Sequence, residues 1–241
     1  MKKILAITKK EFKSYFSSPI AYCFTIAFLV LSNAIFFYVW LFFLKNQASL
    51  RGFFSLLPWL FLFLAPSLTM RAWAEEKKLG TMELLMTLPV KDYEVVLGKF
   101  LASLFFLTLT IFLTLPLVFT CLYLGEPDMG PILGGYCGAV LLGATYLSIG
   151  LFASGLTENQ IVAFISGVSI CFLFLLMGEE MFISRLPDIL VPVFAYLGLA
   201  THFDSIGRGV IDSRDLVYYL SITGFFLFLN IFSVESRKWK G

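Results

Sequence analysis

The fold class is decided by residues 95–124, which read VVLGKFLASLFFLTLTIFLTLPLVFTCLYL. Lys99 is the only charged residue in this block. A helix needs about 20 consecutive apolar residues to cross the ~30 Å hydrocarbon core of a bilayer. The block therefore predicts a membrane-spanning helix. Pro116 should kink or divide that helix, because proline lacks the N–H of a helical hydrogen bond.

The rest of the chain has the same apolar character. Of its 241 residues, 59% are hydrophobic and 14% are charged, whereas soluble domains carry about 25% charged residues. The apolar residues form six long blocks, which are Ile20–Leu44, Phe53–Met70, Val95–Leu124, Ile132–Leu156, Ile161–Met177 and Leu216–Phe232. This pattern predicts an all-α polytopic membrane protein in which residues 20–241 form a transmembrane domain of six helices.

The basic residues predict the orientation of these helices. Thirteen of the 18 lysines and arginines fall at the N-terminus, around the connection after the second block and at the C-terminus. The other five are Lys45, Arg51, Arg185, Arg208 and Arg214. Positively charged loops stay in the cytoplasm, so we expect both termini there. An even number of spans agrees with this arrangement.

Residues 1–19 predict a basic amphipathic helix. At about 100° per residue, the five lysines from Lys2 to Lys13 fall within a sector of about 120°, and the opposite half is apolar except for Glu11. Two interpretations remain open. The helix lies in the membrane interface with its lysines near lipid phosphates, or it is an ordinary positively charged anchor before the first span.

The longest polar interruption between apolar blocks on the expected cytoplasmic side is residues 71–90, RAWAEEKKLGTMELLMTLPV. Gly80 permits a backbone break, and Thr81 can cap a new helix. That helix would contain Glu83, Leu84, Leu85 and Leu88 and would end at Pro89. So short a helix is not stable alone. Its leucines need a groove, either on this protein or on a partner.

The run from Glu76 to Val90, E-x-x-x-G-T-x-E-L-L-x-x-x-P-V, resembles the coupling-helix segment of ABC-2 type transporter permeases. The resemblance extends to KEFKSYFSSPIAY at residues 10–22, LGKF at 97–100, TENQ at 157–160 and HFDSIGRGVID at 202–212. Within the family, the chain is most similar to gliding-motility-type (GldF-like) permeases and to nitrous-oxide-reductase maturation (NosY-like) permeases.

The resemblance implies a coupling helix within about residues 75–90 that docks on an ATP-binding subunit. The residues that would carry this contact are Glu76, Gly80, Thr81, Glu83, Leu84, Leu85 and Pro89. It also implies a multi-pass protein of the bacterial inner membrane that works with two ATPase subunits and with a second permease copy or a paralogue. Its other partner would be membrane lipid, and no nucleic acid is expected.

The chain contains no Gly-x-x-x-x-Gly-Lys-[Ser/Thr] loop, the motif that cradles nucleotide phosphates. We therefore expect no cofactor in this chain, with ATP and Mg²⁺ bound by the partner subunit, and no enzymatic activity of its own. The expected function is a permease that exports a substrate. The alternative is a non-transporting membrane scaffold or mechanical transmitter, for example of gliding-motility machinery, driven by the same ATPase.

A second contact with the ATPase is expected at Thr157 and Glu158, because this turn lies on the cytoplasmic side. Thr157 and Gln160 also have the spacing of a capping box, in which each side chain satisfies a free backbone donor of the other residue. The spacing predicts that Thr157 starts the next helix.

Residues 178–215 are apolar in part, but Pro187 and Pro192 interrupt them. They predict a re-entrant or interfacial element on the outer side. Candidate residues of a substrate path or outer gate are Glu179, Glu180, His202 and Asp204. His202 and Asp204 supply only two ligands, so no metal site is expected.

Overall fold

The computed structural model describes residues 2–40, 42–43, 47–82, 90–185, 187–210 and 212–237, apart from the side chains of Glu180 and Arg237. Within these ranges the regular structure is helical. The helices are α1 (Lys2–Ser17), α2 (Pro19–Ala34, continued by a π-helical turn at Ile35–Val39), α3 (Arg51–Thr69), α4 (Arg71–Lys78), α5 (Asp92–Phe112), α6 (Leu115–Leu124), α7 (Met129–Leu156), α8 (Gln160–Leu176), α9 (Glu180–Ile183), α10 (Val191–Leu197), α11 (Leu199–Gly207) and α12 (Ser213–Arg237).

In the described part of the chain, five helical segments are long and apolar enough to cross a membrane. They are Pro19–Val39, Arg51–Lys78, Asp92–Leu124, Met129–Leu156 and Ser213–Ser236. The prediction of an all-α polytopic membrane protein is confirmed. The sixth predicted span, α8, has 17 residues, about 25 Å at ~1.5 Å per residue. It is shorter than the other five segments. Asn159 caps its start, and the chain turns after Leu176, before Gly178.

Proline divides the third segment, as the sequence predicts. α5 ends at Phe112, and α6 begins at Leu115 with Pro116 in its first turn. Proline is tolerated there because the first N–H groups of a helix have no partner within the helix.

Side-chain contacts place the helix ends at two ends of a bundle. We call the end that carries α4 the base, and the end that carries α11 the top. α1, the start of α5 and the ends of α7 and α12 meet at the base, where Lys99 pairs with Glu76 and Ser233 bonds to Gly155. At the top, a Cβ on Gly178 would lie 3.1 Å from Gly198 Cα. Both described chain ends therefore lie at the base.

α7 is the central helix of the bundle. It packs against α3, α5, α8, α11 and α12, and 78% of its span is buried, compared with 28% for the span of α2. Close approach depends on glycines such as Gly150. A Cβ there would collide with the hydroxyl of Thr69 and would lie 3.2 Å from Pro66 Cα. Small residues allow membrane helices to pack backbone against backbone.

Candidate functional site at the base of the helix bundle

The chain turns at Met70, between α3 and α4, and Ser154 of α7 holds this turn. The Ser154 hydroxyl accepts hydrogen bonds from the N–H groups of Trp73 and Ala74, at 3.1 and 3.2 Å. It donates to the Met70 carbonyl at 2.9 Å. The first N–H groups of a helix have no partner within it. A hydroxyl from another helix therefore caps α4 and fixes its start to α7.

The other end of α4 is tied to the same helix. The Lys77 ammonium donates to the Gly155 carbonyl near the end of α7, which also accepts from the Ser233 hydroxyl of α12 at 3.4 Å. The C-terminal end of a helix carries partial negative charge, so a cation is favoured there. α4, α7 and α12 thus meet at one carbonyl.

A buried lysine joins α4 to two further helices. Lys99 lies about two turns into α5, and its side chain is 3% exposed. Its ammonium lies 2.6 Å from Glu76 Oε1 in α4 and 3.4 Å from Glu11 Oε1 in α1. It also lies 5.1 Å from the ring centroid of Trp73, within the range of a cation–π contact. A buried ammonium requires such pairing, because its desolvation is costly.

Glu11, Lys99 and Glu76 form a set that we call the ion triad. It contains two carboxylates and one ammonium. Glu76 Oε2 is buried and has no hydrogen-bond partner among the described residues. α1 and α4 therefore share one cation, and the shorter contact belongs to α4.

α1 packs along the first turns of α5, beside Lys99 and Glu76 of the ion triad. A Cβ at Gly98 would overlap the side chain of Ile7. Further along both helices, Tyr15 stacks on Phe106 with ring centroids 5.1 Å apart and donates to Ser103 Oγ at 3.2 Å. Burial raises the pKa of Tyr15 to about 12, so its hydroxyl keeps the proton that it donates. Glu11, the one acidic residue on the apolar side of α1, faces Lys99.

Beyond α4 the backbone breaks where the sequence predicts. Gly80 has φ +68°, a left-handed conformation that favours glycine. Thr81 begins a helical stretch, its hydroxyl donates to the Glu76 carbonyl at 3.3 Å, and Met82 is buried. Four of the predicted coupling residues, Glu83, Leu84, Leu85 and Pro89, lie outside the described residues.

Thr157 and Glu158 lie at the base, after the Gly155 carbonyl that binds Lys77. The predicted capping box of Thr157 and Gln160 is wrong. Asn159 caps α8 instead, accepting from the Ile161 N–H at 2.9 Å. The Thr157 hydroxyl accepts from the Asn159 N–H at 3.1 Å. Asn159 directly precedes the first helical residue, so its side chain reaches the free donor of the first turn, and Thr157 forms the preceding turn.

The predicted outer residues lie at the top of the bundle. Among those of them whose side chains the structure describes, only His202 has a buried polar partner. His202 Nδ1 lies 2.7 Å from Asp215 Oδ1, and Nε2 donates to the Tyr196 carbonyl at 2.9 Å. The imidazole stacks on Tyr218 at 3.9 Å. Asp204, the expected neighbour of His202, is exposed. On a helix, residues two apart point to different sides.

The other two predicted outer residues are Glu179 and Glu180, which lie where α9 begins. Glu179 is partly exposed at the start of α9, and the side chain of Glu180 lies outside the described atoms. In the described ranges, no group of three or more His, Cys, Asp and Glu side chains is placed to hold a metal ion.

Sequence reasoning missed several residues of the base, namely Glu11, Trp73, Lys99 and Ser154 as contact partners. Two signals were available. Glu11 is the only acidic residue on the apolar side of α1, and Lys99 lies inside an apolar block. An ionisable residue within a membrane segment is a functional candidate by default, and its partner is the first thing to seek.

The fold and the base define a multi-pass helical membrane protein in which a polar junction connects a short helix, α4, to the spanning helices. The chain matches the family described as ABC-2 family transporter protein over residues 47–233, and it belongs to that family as a membrane component. Permeases of this family are typically non-catalytic and pair with ABC ATPase subunits. A search of curated protein sequences finds no match.

Proposed function

We propose that this chain is the permease subunit of an exporter in a bacterial inner membrane, driven by ATP that two separate ATPase subunits hydrolyse. It would work as a pair with a second copy or a paralogue. The observation that carries the proposal is the attachment of α4. This short helix is bonded directly to α5 and α7, and it shares Lys99 with α1 and the Gly155 carbonyl with α12. It leads directly to Gly80 and the segment that resembles a coupling helix.

Six spans with both termini in the cytoplasm fit the packing of α8. α8 lies against α7, where a Cβ on Gly167 would be 3.6 Å from Gly150 Cα, and its end reaches the top at Gly178. The chain thus passes from base to top between α7 and α11. A helix of about 25 Å can span where the bilayer thins locally, at a modest cost per ångström of mismatch.

The proposed mechanism is transmission of ATPase closure through α4. If the ATPase pulls on residues 81–88, α4 moves with them because only Gly80 and its neighbours intervene. The bonds to Ser154, Gly155 and Lys99 then transfer that movement to α7 and α5. Alternating access or lateral opening between the two permeases would follow. The motion needs contacts that differ between the two states of the ATPase.

ATP and Mg²⁺ would bind to the partner, which agrees with the missing phosphate-binding loop. We also propose that the chain is nearest to the gliding-motility-type and nitrous-oxide-reductase maturation permeases of the family. The motifs at residues 10–22, 76–90 and 202–212 resemble the ABC-2 family as a whole, and the narrower assignment is made within that resemblance.

The decisive experiment changes the leucines of the coupling segment. Each buried leucine contributes about 1.5–3 kcal/mol. Replacing Leu84 and Leu85 together by serine should therefore weaken the ATPase complex about 100-fold or more, since ~1.4 kcal/mol is one decade. Glu83→Lys should have a smaller effect, because a charge at an exposed helix start is worth about 0.3–1 kcal/mol. The measurement is co-purification of the ATPase with the tagged permease at matched expression.

Leu79→Ser is the matched control, because Leu79 is an exposed leucine that precedes Gly80. It should retain the ATPase. If the double serine variant also retains the ATPase at the wild-type level, residues 81–88 are not the docking element. The proposed mechanism would then be wrong.

A further inference from the structure

The outward face of α1 carries a concentrated positive charge. Lys2, Lys3, Lys9, Lys10 and Lys13 are all exposed. The opposite face packs on α5 through Ile7, Glu11 and Tyr15. Only Ser18 separates α1 from the first candidate span at Pro19. The basic face therefore lies next to the start of a candidate membrane span, where we expect lipid headgroups.

We propose that the five lysines of α1 bind anionic phospholipid headgroups. Through the ion triad, the position of α1 against α5 then controls how firmly α4 is attached to α5. The charge pattern selects this ligand, because amphipathic helices with lysines on the polar face bind anionic lipid surfaces. This proposal rests on the proposed function in one respect: it takes the segment after α4 to be the contact with the ATPase.

The link to α4 follows from the position of Lys99. α1 packs on α5 beside the Lys99–Glu76 contact, where the Lys99 side chain is 3% exposed, and Glu11 contributes the second carboxylate at 3.4 Å. When lipid phosphates hold α1 against α5, the pair stays shielded from water. When α1 moves away, water reaches the pair and the higher dielectric constant weakens it. α4 then loses one of its attachments immediately before Gly80.

The first test measures lipid binding by the full chain in detergent. Short-chain phosphatidylglycerol is titrated and followed by native mass spectrometry, with phosphatidylcholine as the neutral comparison. Changing all five α1 lysines to glutamine should weaken phosphatidylglycerol binding about tenfold or more, because several lysine–phosphate contacts are lost together. The control is Lys78→Gln with Lys91→Gln, which removes two exposed lysines at the same end of the bundle and should change binding little.

The second test measures the link by hydrogen exchange at the amides of residues 71–80. The wild-type chain is compared in nanodiscs of phosphatidylcholine and of an equimolar mixture with phosphatidylglycerol. Exchange should be slower with phosphatidylglycerol by about threefold or more, because exchange reports local opening of α4. Glu11→Gln and Lys99→Met should lose this lipid dependence. Lys99→Arg, which keeps the charge, should retain it.

Several results would overturn the proposal. One is unchanged phosphatidylglycerol binding by the five-glutamine variant, and another is an equal loss in the Lys78 and Lys91 control. If the hydrogen-exchange rate of wild-type α4 does not depend on phosphatidylglycerol, the proposed link between α1 and α4 is wrong. If Lys99→Met does not fold, Glu11→Gln decides the same question.

The two proposals can fail separately. Both lipid measurements use the chain without its ATPase, so a failed leucine experiment leaves them interpretable. A five-glutamine variant that binds lipid normally but loses the ATPase would show that α1 docks a protein, which contradicts the lipid assignment.

Discussion

The ammonium of Lys99 lies 2.6 Å from Glu76 Oε1, and this contact joins α5 to the helix that ends just before Gly80. The two residues come from different membrane segments, and Lys99 is almost completely buried. A charge pair in such a place specifies how two helices sit against each other, because neither group can be left alone without a large desolvation cost.

Lys99→Met should therefore destabilise the chain strongly. It leaves Glu76 and Glu11 without their shared cation, and breaking a buried pair typically costs about 3–5 kcal/mol. The partial exposure of both carboxylates, 22% and 23%, places the expected loss at the lower end of that range. Thermal unfolding in detergent measures it. Lys99→Arg should lose much less stability, and equal melting temperatures for wild type and Lys99→Met would contradict the role of the triad.

Gly150→Ala should destabilise the packing of α7 against α3. The new Cβ would overlap the Thr69 hydroxyl and press on Pro66, and overpacking typically costs about 1–3 kcal/mol. Gly224→Ala in α12 is the matched control, because a Cβ there meets nothing within 4 Å. In the control, alanine should instead stabilise the helix by up to about 1 kcal/mol. Denaturant titration of both variants would show whether their effects have opposite signs.

His202→Leu should destabilise the top of the bundle. It leaves the buried Asp215 carboxylate without its partner at 2.7 Å, a change expected to cost about 3–5 kcal/mol. Asp204→Asn should change stability by less than about 0.5 kcal/mol, because Asp204 is an exposed side chain. Protease resistance of the α10–α12 region measures both. A larger effect from Asp204→Asn would mean that the wrong carboxylate has been paired with His202.

Cysteine labelling tests the orientation. The four native cysteines (Cys23, Cys121, Cys137 and Cys171) are first replaced. Lys3→Cys and Lys78→Cys lie at the base, and Asp128→Cys and Arg208→Cys lie at the top, all at exposed positions. The base carries the lysine-rich segments, so the first pair should resist a membrane-impermeant thiol reagent in intact cells and the second pair should react. If position 78 is labelled from outside the cell, the predicted orientation is wrong.

The local features of the fold could be read from the sequence because each depends on neighbouring residues only. Hydrophobic length identified the spanning helices, and Pro116 divided the third of them. Gly80 marked the backbone break after α4. The length criterion also shows why α8 differs, since 17 residues fall short of the ~20 that an average bilayer requires.

The sequence by itself determined that this chain crosses a membrane several times, since burial in lipid requires long apolar helices whose backbone groups are satisfied internally. Only the tertiary structure decided which polar groups meet. Glu11 and Lys99 are 88 residues apart, and His202 pairs with Asp215 although Asp204 is nearer in sequence. Such pairs depend on where helices cross and on which faces they turn toward each other. The crossing of α11 with α12 is set by their packing on α7, and that of α1 with α5 by their own contact, rather than by any local pattern.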